Sequence, residues 1–216
     1  MVELSSCQVT DFEKEMNFLH LADRLKKEMR HCWNTDGRRE SVAEHSWRLP
    51  LMVFRYADRL DQPVNISKCL KMALIHDLPE AIASDLPVIQ QTTEKKAQQL
   101  AKEIEAIQQI RQLLNDKNGQ EVLDLWLEYK SLSSSESRFV KALDKLEAFI
   151  SHNESPLSTW EFREKQMLFL DHYLFDHCKY DSFLAEFAKR VVEDGIQKLK
   201  AAGEDINQIR DSALTL

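Results

Sequence analysis

A chain of 216 residues with a formal net charge of −7 is long enough to bury one sizeable apolar core and too acidic to offer a broad phosphate-binding face to a nucleic acid polymer. Its 4 glycines and 5 prolines are few for that length, while Leu, Ala, Glu, Lys and Gln abound, a composition of helices rather than of turn-rich sheets. The expected fold is all-α, one domain over 1–216. The apolar runs are short and broken by charges, and "MVELSSCQVTDFEKEM" has neither the basic nor the apolar region of a leader, so no membrane partner is expected and the cytoplasm is the expected compartment. Cys7, Cys32, Cys69 and Cys178 are scattered without a CxxC pair and are expected to be reduced, partly buried thiols.

In chain order, "DFEKEMNFLHLADRLKKEMRHCW" spaces Phe12, Met16, Leu19, Leu21, Leu25 and Met29 as on a helix, with Asp11 as N-cap. "NTDGRRE" reads as a loop. "ESVAEHSWRLPLMVFRYADRL" resumes the helical period, with Ser41 and Glu44 as a capping box and Pro50 as a point of bending or lost hydrogen bonding. After the turn "DQPVN", "ISKCLKMALIHD" predicts a short apolar helix ending on His76 and Asp77, and "LPEAIASDLP" a shorter one with Asp85 beyond its end. Two helices follow, separated near Asn118 and Gly119; a serine cluster then caps a helix with Val140, Leu143, Leu146 and Phe149 on one face and Asp144 in its middle. Two or three helices are expected from Trp160 to about Leu199, and the polar residues of about 200–216 are expected to fray.

His45 and Asp144, taken singly, are buried polar groups with ordinary partners, and His76 and Asp77 a polar helix end. Together they offer two imidazoles and two carboxylates, a donor set suited to one divalent transition ion such as Mn, Co, Fe, Ni or Zn. Adjacent residues on a regular helix point about 100° apart, so a His-Asp pair that shares a target needs a helix terminus, which "LIHDLPE" supplies. A carboxylate set between Leu143 and Lys145 on an apolar helix is costly to bury alone, and an ion would offset that cost.

The order H…HD…D, carried by "SVAEHSW", "ALIHDLPEA" and "FVKALDKLEAF", resembles the HD-domain metal-dependent phosphohydrolases, and "SVAEHS" with "HDLPEAIASDLP" is similar to their 5′-deoxynucleotidase-like subfamily, over about residues 15–180. The resemblance implies a single HD-domain helical bundle with His45, His76, Asp77 and Asp144 as ligands of one divalent metal, and Glu80 and Asp85 as catalytic acids. It also implies a small-molecule nucleotide substrate and a homodimer. The subfamily has an Arg and a Trp before the first His: Arg30 fits the Arg, His31 occupies the Trp position and Trp33 follows two residues on, while Arg38 and Arg39 are further candidates for binding substrate phosphate. His152, His172 and His177 lack matching partners, and His172 with Asp176 reads as a surface pair. The expected activity is hydrolysis of a (deoxy)nucleoside 5′-monophosphate. Cyclic-nucleotide phosphodiesterase, (p)ppGpp hydrolase and dNTP triphosphohydrolase share H…HD…D, and a non-catalytic metal-stabilised binding module is the rival outside the enzymes.

Overall fold

The computed structural model describes residues 10–114 and 117–215, so Cys7 lies outside the described residues. In chain order these form α1 (Asp11–Ala22), β1 (Met29–Trp33), β2 (Arg39–Ser41), α2 (Val42–Tyr56), α3 (Ile66–Ile75), α4 (Glu80–Ala83), α5 (Thr93–Leu114), α6 (Lys117–Ser131), α7 (Ser135–Glu154), α8 (Phe162–Met167), α9 (Phe175–Cys178), α10 (Ser182–Ala201) and α11 (Ile206–Ala213). The architecture is all-α apart from one short hairpin.

α7 is the axis of the bundle. Ser134 caps it, and its buried residues Phe139, Val140, Ala142, Leu143, Leu146 and Phe149 follow the helical period, so successive turns meet α2, α3, α6, α9 and α10. Leu49 and Val53 of α2, Cys69 and Met72 of α3, and Leu184, Ala188 and Leu199 of α10 complete this core. A second, smaller core of Leu25, Val42, Leu78, Ala81, Ile107, Ile110 and Trp126 lies beneath α4 and α5. Cys32, Cys69 and Cys178 are buried free thiols.

Three expectations need correction. The first helix does not continue to Trp33: it stops at Ala22, with Thr10 rather than Asp11 as its cap, and Met29–Trp33 pairs antiparallel with Arg39–Ser41. Asp36-Gly37 is the cause, because Gly37 takes the positive φ of 86° that closes the hairpin and donates its N–H to the Asn34 carbonyl at 3.0 Å. The N-terminal apolar spacing was therefore helical only over its first half. Gly119 lies within α6 rather than between helices, while Pro50 behaves as expected: α2 continues through it, losing the N–H that would have met the Ser46 carbonyl.

The polar tail is also more ordered than its composition suggests. α11 is capped by Asp205 and buries Ile209 and Ala213. It packs on α8 and α10, where Ser212 Oγ accepts from Gln166 at 3.1 Å, and Glu204 ahead of it pairs with Lys165 at 2.6 Å. Among the described residues, no helix is long and apolar enough to cross a membrane.

Candidate metal centre and its pocket

The Ser41–Glu44 capping box starts α2 and sets its phase, so that His45, one turn in, faces α3 and α7. α3 ends at Ile75, and the tight turn after it, closed by the Leu78 N–H on the Ile75 carbonyl at 3.0 Å, brings His76 and Asp77 toward the same point. Asp144 arrives from the middle of α7. His45 Nε2 lies 3.1 Å from His76 Nε2, 3.3 Å from an Asp144 oxygen and 3.6 Å from Asp77, and His76 Nε2 lies 3.0 Å from Asp77. The four sequence-predicted ligands thus meet at one place.

Their hydrogen bonds test whether that place suits a cation. His76 Nδ1 lies 2.8 Å from the Ala73 carbonyl, an acceptor, so Nδ1 carries the ring proton and Nε2 presents a lone pair. His45 Nδ1 likewise meets the Glu147 carboxylate, a partner the sequence pattern did not single out. Two imidazole lone pairs and two carboxylates then converge with no donor among them. Without an ion, a proton is the available compensation: burial alone would lower His45, but Glu147 and Asp144 outweigh it and hold the imidazole up at about 9. Two nitrogens bound to one ion at about 2.1 Å lie roughly 3.0–3.4 Å apart, which matches the spacing of these rings. The donor set fits a divalent transition ion. Burial opposes charge on both aspartates, yet His76 keeps Asp77, and Lys141 and Lys145 keep Asp144, below the usual carboxylate range.

The cluster opens on a cavity of about 210 Å³. Glu80 and Asp85 line it on one side. Burial, with Asp77 and Asp85 adding to it, pushes the Glu80 carboxyl well above its usual range, and Glu80 Oε2 is buried without a hydrogen-bond partner. Asp85 rises to about 6, burial and Asp77 prevailing over Arg30. Ser84, just before it, holds φ 61° and ψ 158°, a conformation L side chains rarely adopt. Glu28 pins this corner by accepting from the Asp85 N–H at 3.0 Å and the Ser84 hydroxyl at 3.3 Å.

Of the four proposed substrate-binding residues, only Arg30 reaches this cavity, where it pairs with Glu40 at 2.8 Å and Glu147 at 3.4 Å. Trp33, Arg38 and Arg39 are corrected. Trp33 and Arg38 border a different depression, beside Trp47 and Arg48; Arg38 pairs with Glu44, and Arg39 Nε donates to the Arg30 carbonyl at 3.0 Å. The reason is the hairpin: Arg30–Cys32 of β1 line the cavity, and the chain then turns at Asp36-Gly37, which carries Trp33 and Arg38 to the depression beside Trp47.

The cations missed by the sequence pattern lie on α7. Lys141 donates to Asp144 at 2.9 Å. Lys145 stands 3.9 Å from Asp144, and among the described residues its ammonium has no hydrogen-bond partner. His152 was also missed; it lines the cavity, and burial lowers it to about 4. Lys141, Lys145, Ala148 and His152 recur at i, i+4, i+7 and i+11, a spacing that marks one face of a helix. His172 packs on Tyr173, while Asp176 pairs with Lys179 at 2.6 Å instead of with His172.

A family model described as HD domain matches residues 22–172. The chain belongs to the HD domain family. Among curated HD relatives, the human protein named 5′-deoxynucleotidase HDDC2 is 34% identical over 141 residues, covering 64% of this chain and 67% of its own. A Dictyostelium discoideum protein of the same name is 31% identical over 176 residues, covering 78% and 85%. The solved structure of a predicted metal-dependent phosphohydrolase from Magnetospirillum magnetotacticum superposes with a TM-score of 0.69 at 26% identity, over 87% of this chain and 93% of that one. The HD motif of this chain is thus set in a fold shared with a protein described as metal-dependent.

Proposed function

We propose that this protein is a metal-dependent 5′-nucleotidase that releases phosphate from (deoxy)nucleoside 5′-monophosphates. One observation carries the proposal: four electron-pair donors, His45, His76, Asp77 and Asp144, converge beside a cavity that also holds a buried, unpartnered Glu80. The relatives named 5′-deoxynucleotidase support the substrate class.

His45, His76, Asp77 and Asp144 would hold the ion, which when bound supplies Lewis acidity to a phosphoryl oxygen and to the attacking water. Arg30 and Lys145 neutralise the phosphate, Lys145 having no competing hydrogen bond among the described residues. Glu80, its carboxyl pushed well up by burial, is placed to give a proton to the leaving 5′-oxygen; Asp85, near 6, is placed to take one from the water. The water oxygen bonds to phosphorus as the bond from phosphorus to the 5′-oxygen breaks, so the proton lost by water and the one gained by the leaving alcohol balance.

We further propose a cytoplasmic homodimer. Trp47, Leu51 and Phe54 lie exposed at i, i+4 and i+7 on α2, an apolar stripe that a second copy would cover, and sedimentation equilibrium tests it. The decisive experiment for the activity is a phosphate-release screen of nucleoside mono-, cyclic and triphosphates with Mn, Co, Ni, Fe and Zn. Release from monophosphates is the expected result. Release only from cyclic or triphosphates moves the protein to another HD reaction, and release from none leaves a metal-stabilised binding module.

A further inference from the structure

The turn after α4 carries Asp85 to the cavity in a backbone conformation that its own sequence does not favour. The φ and ψ of Ser84 fall in a region almost confined to glycine, so contacts from outside the turn must keep it there. The Ser84 N–H donates to the Glu80 carbonyl at 3.0 Å, which closes α4. The next peptide unit is gripped at both edges: Gln99 Nε2 of α5 donates to the Ser84 carbonyl at 2.7 Å, and the Asp85 N–H donates to Glu28 Oε1 at 3.0 Å. Glu28 Oε2 also takes the Ser84 hydroxyl.

We propose that Glu28 is a positioning residue for the reaction, holding Asp85 in place relative to the metal cluster. This rests on the nucleotidase reading above, in which Asp85 serves the attacking water. Three features point to it. Among the described residues the Asp85 carboxylate has no hydrogen bond of its own, so the peptide unit before it decides where the side chain enters the cavity. Glu28 is itself anchored to the helix that carries a metal ligand: its carbonyl accepts the N–H of Val42, the first residue of α2, at 2.9 Å, and its N–H donates to the Arg24 carbonyl at 3.1 Å. His45 follows Val42 by three residues, so Glu28 ties the first turn of α2 to the turn after α4. Glu28 does not line the cavity, so its part is played through Asp85 and not on the substrate.

The test measures hydrolysis of thymidine 5′-monophosphate by the metal-loaded enzyme, together with amide hydrogen exchange at Asp85. Glu28→Ala removes both acceptors, and kcat is expected to fall about tenfold, as for loss of one charge-assisted hydrogen bond, with KM unchanged. Glu28→Gln keeps an amide oxygen for the Asp85 N–H and is expected to restore most of that rate. An unchanged kcat in Glu28→Ala, a loss that appears in KM instead, or no recovery in Glu28→Gln overturns the proposal. Exchange needs no turnover: at the Asp85 amide it is expected to be about tenfold faster in Glu28→Ala, and an unchanged rate overturns the proposal. Circular dichroism verifies the helices, and Glu28→Asp, too short to hold both donors, takes the place of Glu28→Ala with the same losses expected if that variant fails to fold. If the wild type releases phosphate from no ester, the nucleotidase reading fails and exchange alone decides the hold on Asp85, faster exchange supporting it and unchanged exchange overturning it.

Discussion

His45 and His76 face each other Nε2 to Nε2 at 3.1 Å, each ring with its Nδ1 turned onto an acceptor. While both rings are neutral, neither can give a proton to the other without losing its outer hydrogen bond, so the pair is arranged for a shared cation. Glu147 is the outer partner of His45 and also takes Arg48 Nε at 2.8 Å. Replacing it by Gln should weaken metal binding about 10–100-fold, because an amide orients the imidazole less firmly and makes it a poorer donor. Metal titration by calorimetry, with circular dichroism to verify that the helices persist, measures this; undiminished affinity would remove Glu147 from the site.

Glu80 separates the chemistry from the binding. Glu80→Gln keeps the shape of the side chain and removes its proton exchange, so kcat should fall about 10²–10⁴-fold while metal affinity holds. Steady-state rates alongside a metal titration decide the matter, and a variant as fast as the wild type would exclude Glu80 from proton transfer.

Asp85 gives stability a sign. Its folded pKa of about 6 exceeds the unfolded value of about 3.9, so the folded protein binds the proton more tightly. Stability from this group is fully present below about pH 4 and lost as pH rises past about 6. Asp85→Asn escapes that loss. The metal-free variant should gain on the order of 1–2 kcal/mol above about pH 7, discounted for partial exposure, and the gain should vanish below about pH 4. Urea melts across that range test it, and a gain that grew with acid would contradict the assignment.

Gly195 tests the packing behind the pocket. A Cβ there would sit 2.7 Å from a Leu168 methyl and 2.8 Å from Asn153 Oδ1, and Asn153 is held by its bond to the Val191 carbonyl at 2.7 Å. Gly195→Ala should cost about 1–3 kcal/mol by overpacking. A thermal melt as high as that of the wild type would mean that α10 can shift away from α7.

Much of this molecule was legible in its sequence wherever the signal was local. Ser41 with Glu44 and the serines before α7 marked helix starts that the structure keeps, and the helix end after Ile75 explains how neighbouring His76 and Asp77 share a target. What was not legible depended on distance or on competition. Glu147 touches His45 across 102 positions of sequence, and only its place one turn after Asp144 hinted at it. The apolar spacing up to Met29 suited a helix, but the Asp36-Gly37 turn and pairing with Arg39–Ser41 prevailed; Trp33, Arg38 and Arg39, expected at the substrate from the family resemblance and from closeness in sequence, stand away from the cavity. Ile209 and Ala213 are too few to offset a polar composition by eye, yet they suffice to seat α11.

That seating has a consequence for how the enzyme can diverge. α11 lies outside the segment matched to the HD family, and it braces α8, the six-residue helix that carries Met167 to the wall of the cavity. The residues proposed to break the phosphate ester stand on β1, α2, α4, α7 and the turns after α3 and α4, whereas α11 packs on α8 and α10. Mutational drift in the tail is therefore expected to disturb the cavity wall at Met167 before it disturbs the bond-breaking centre.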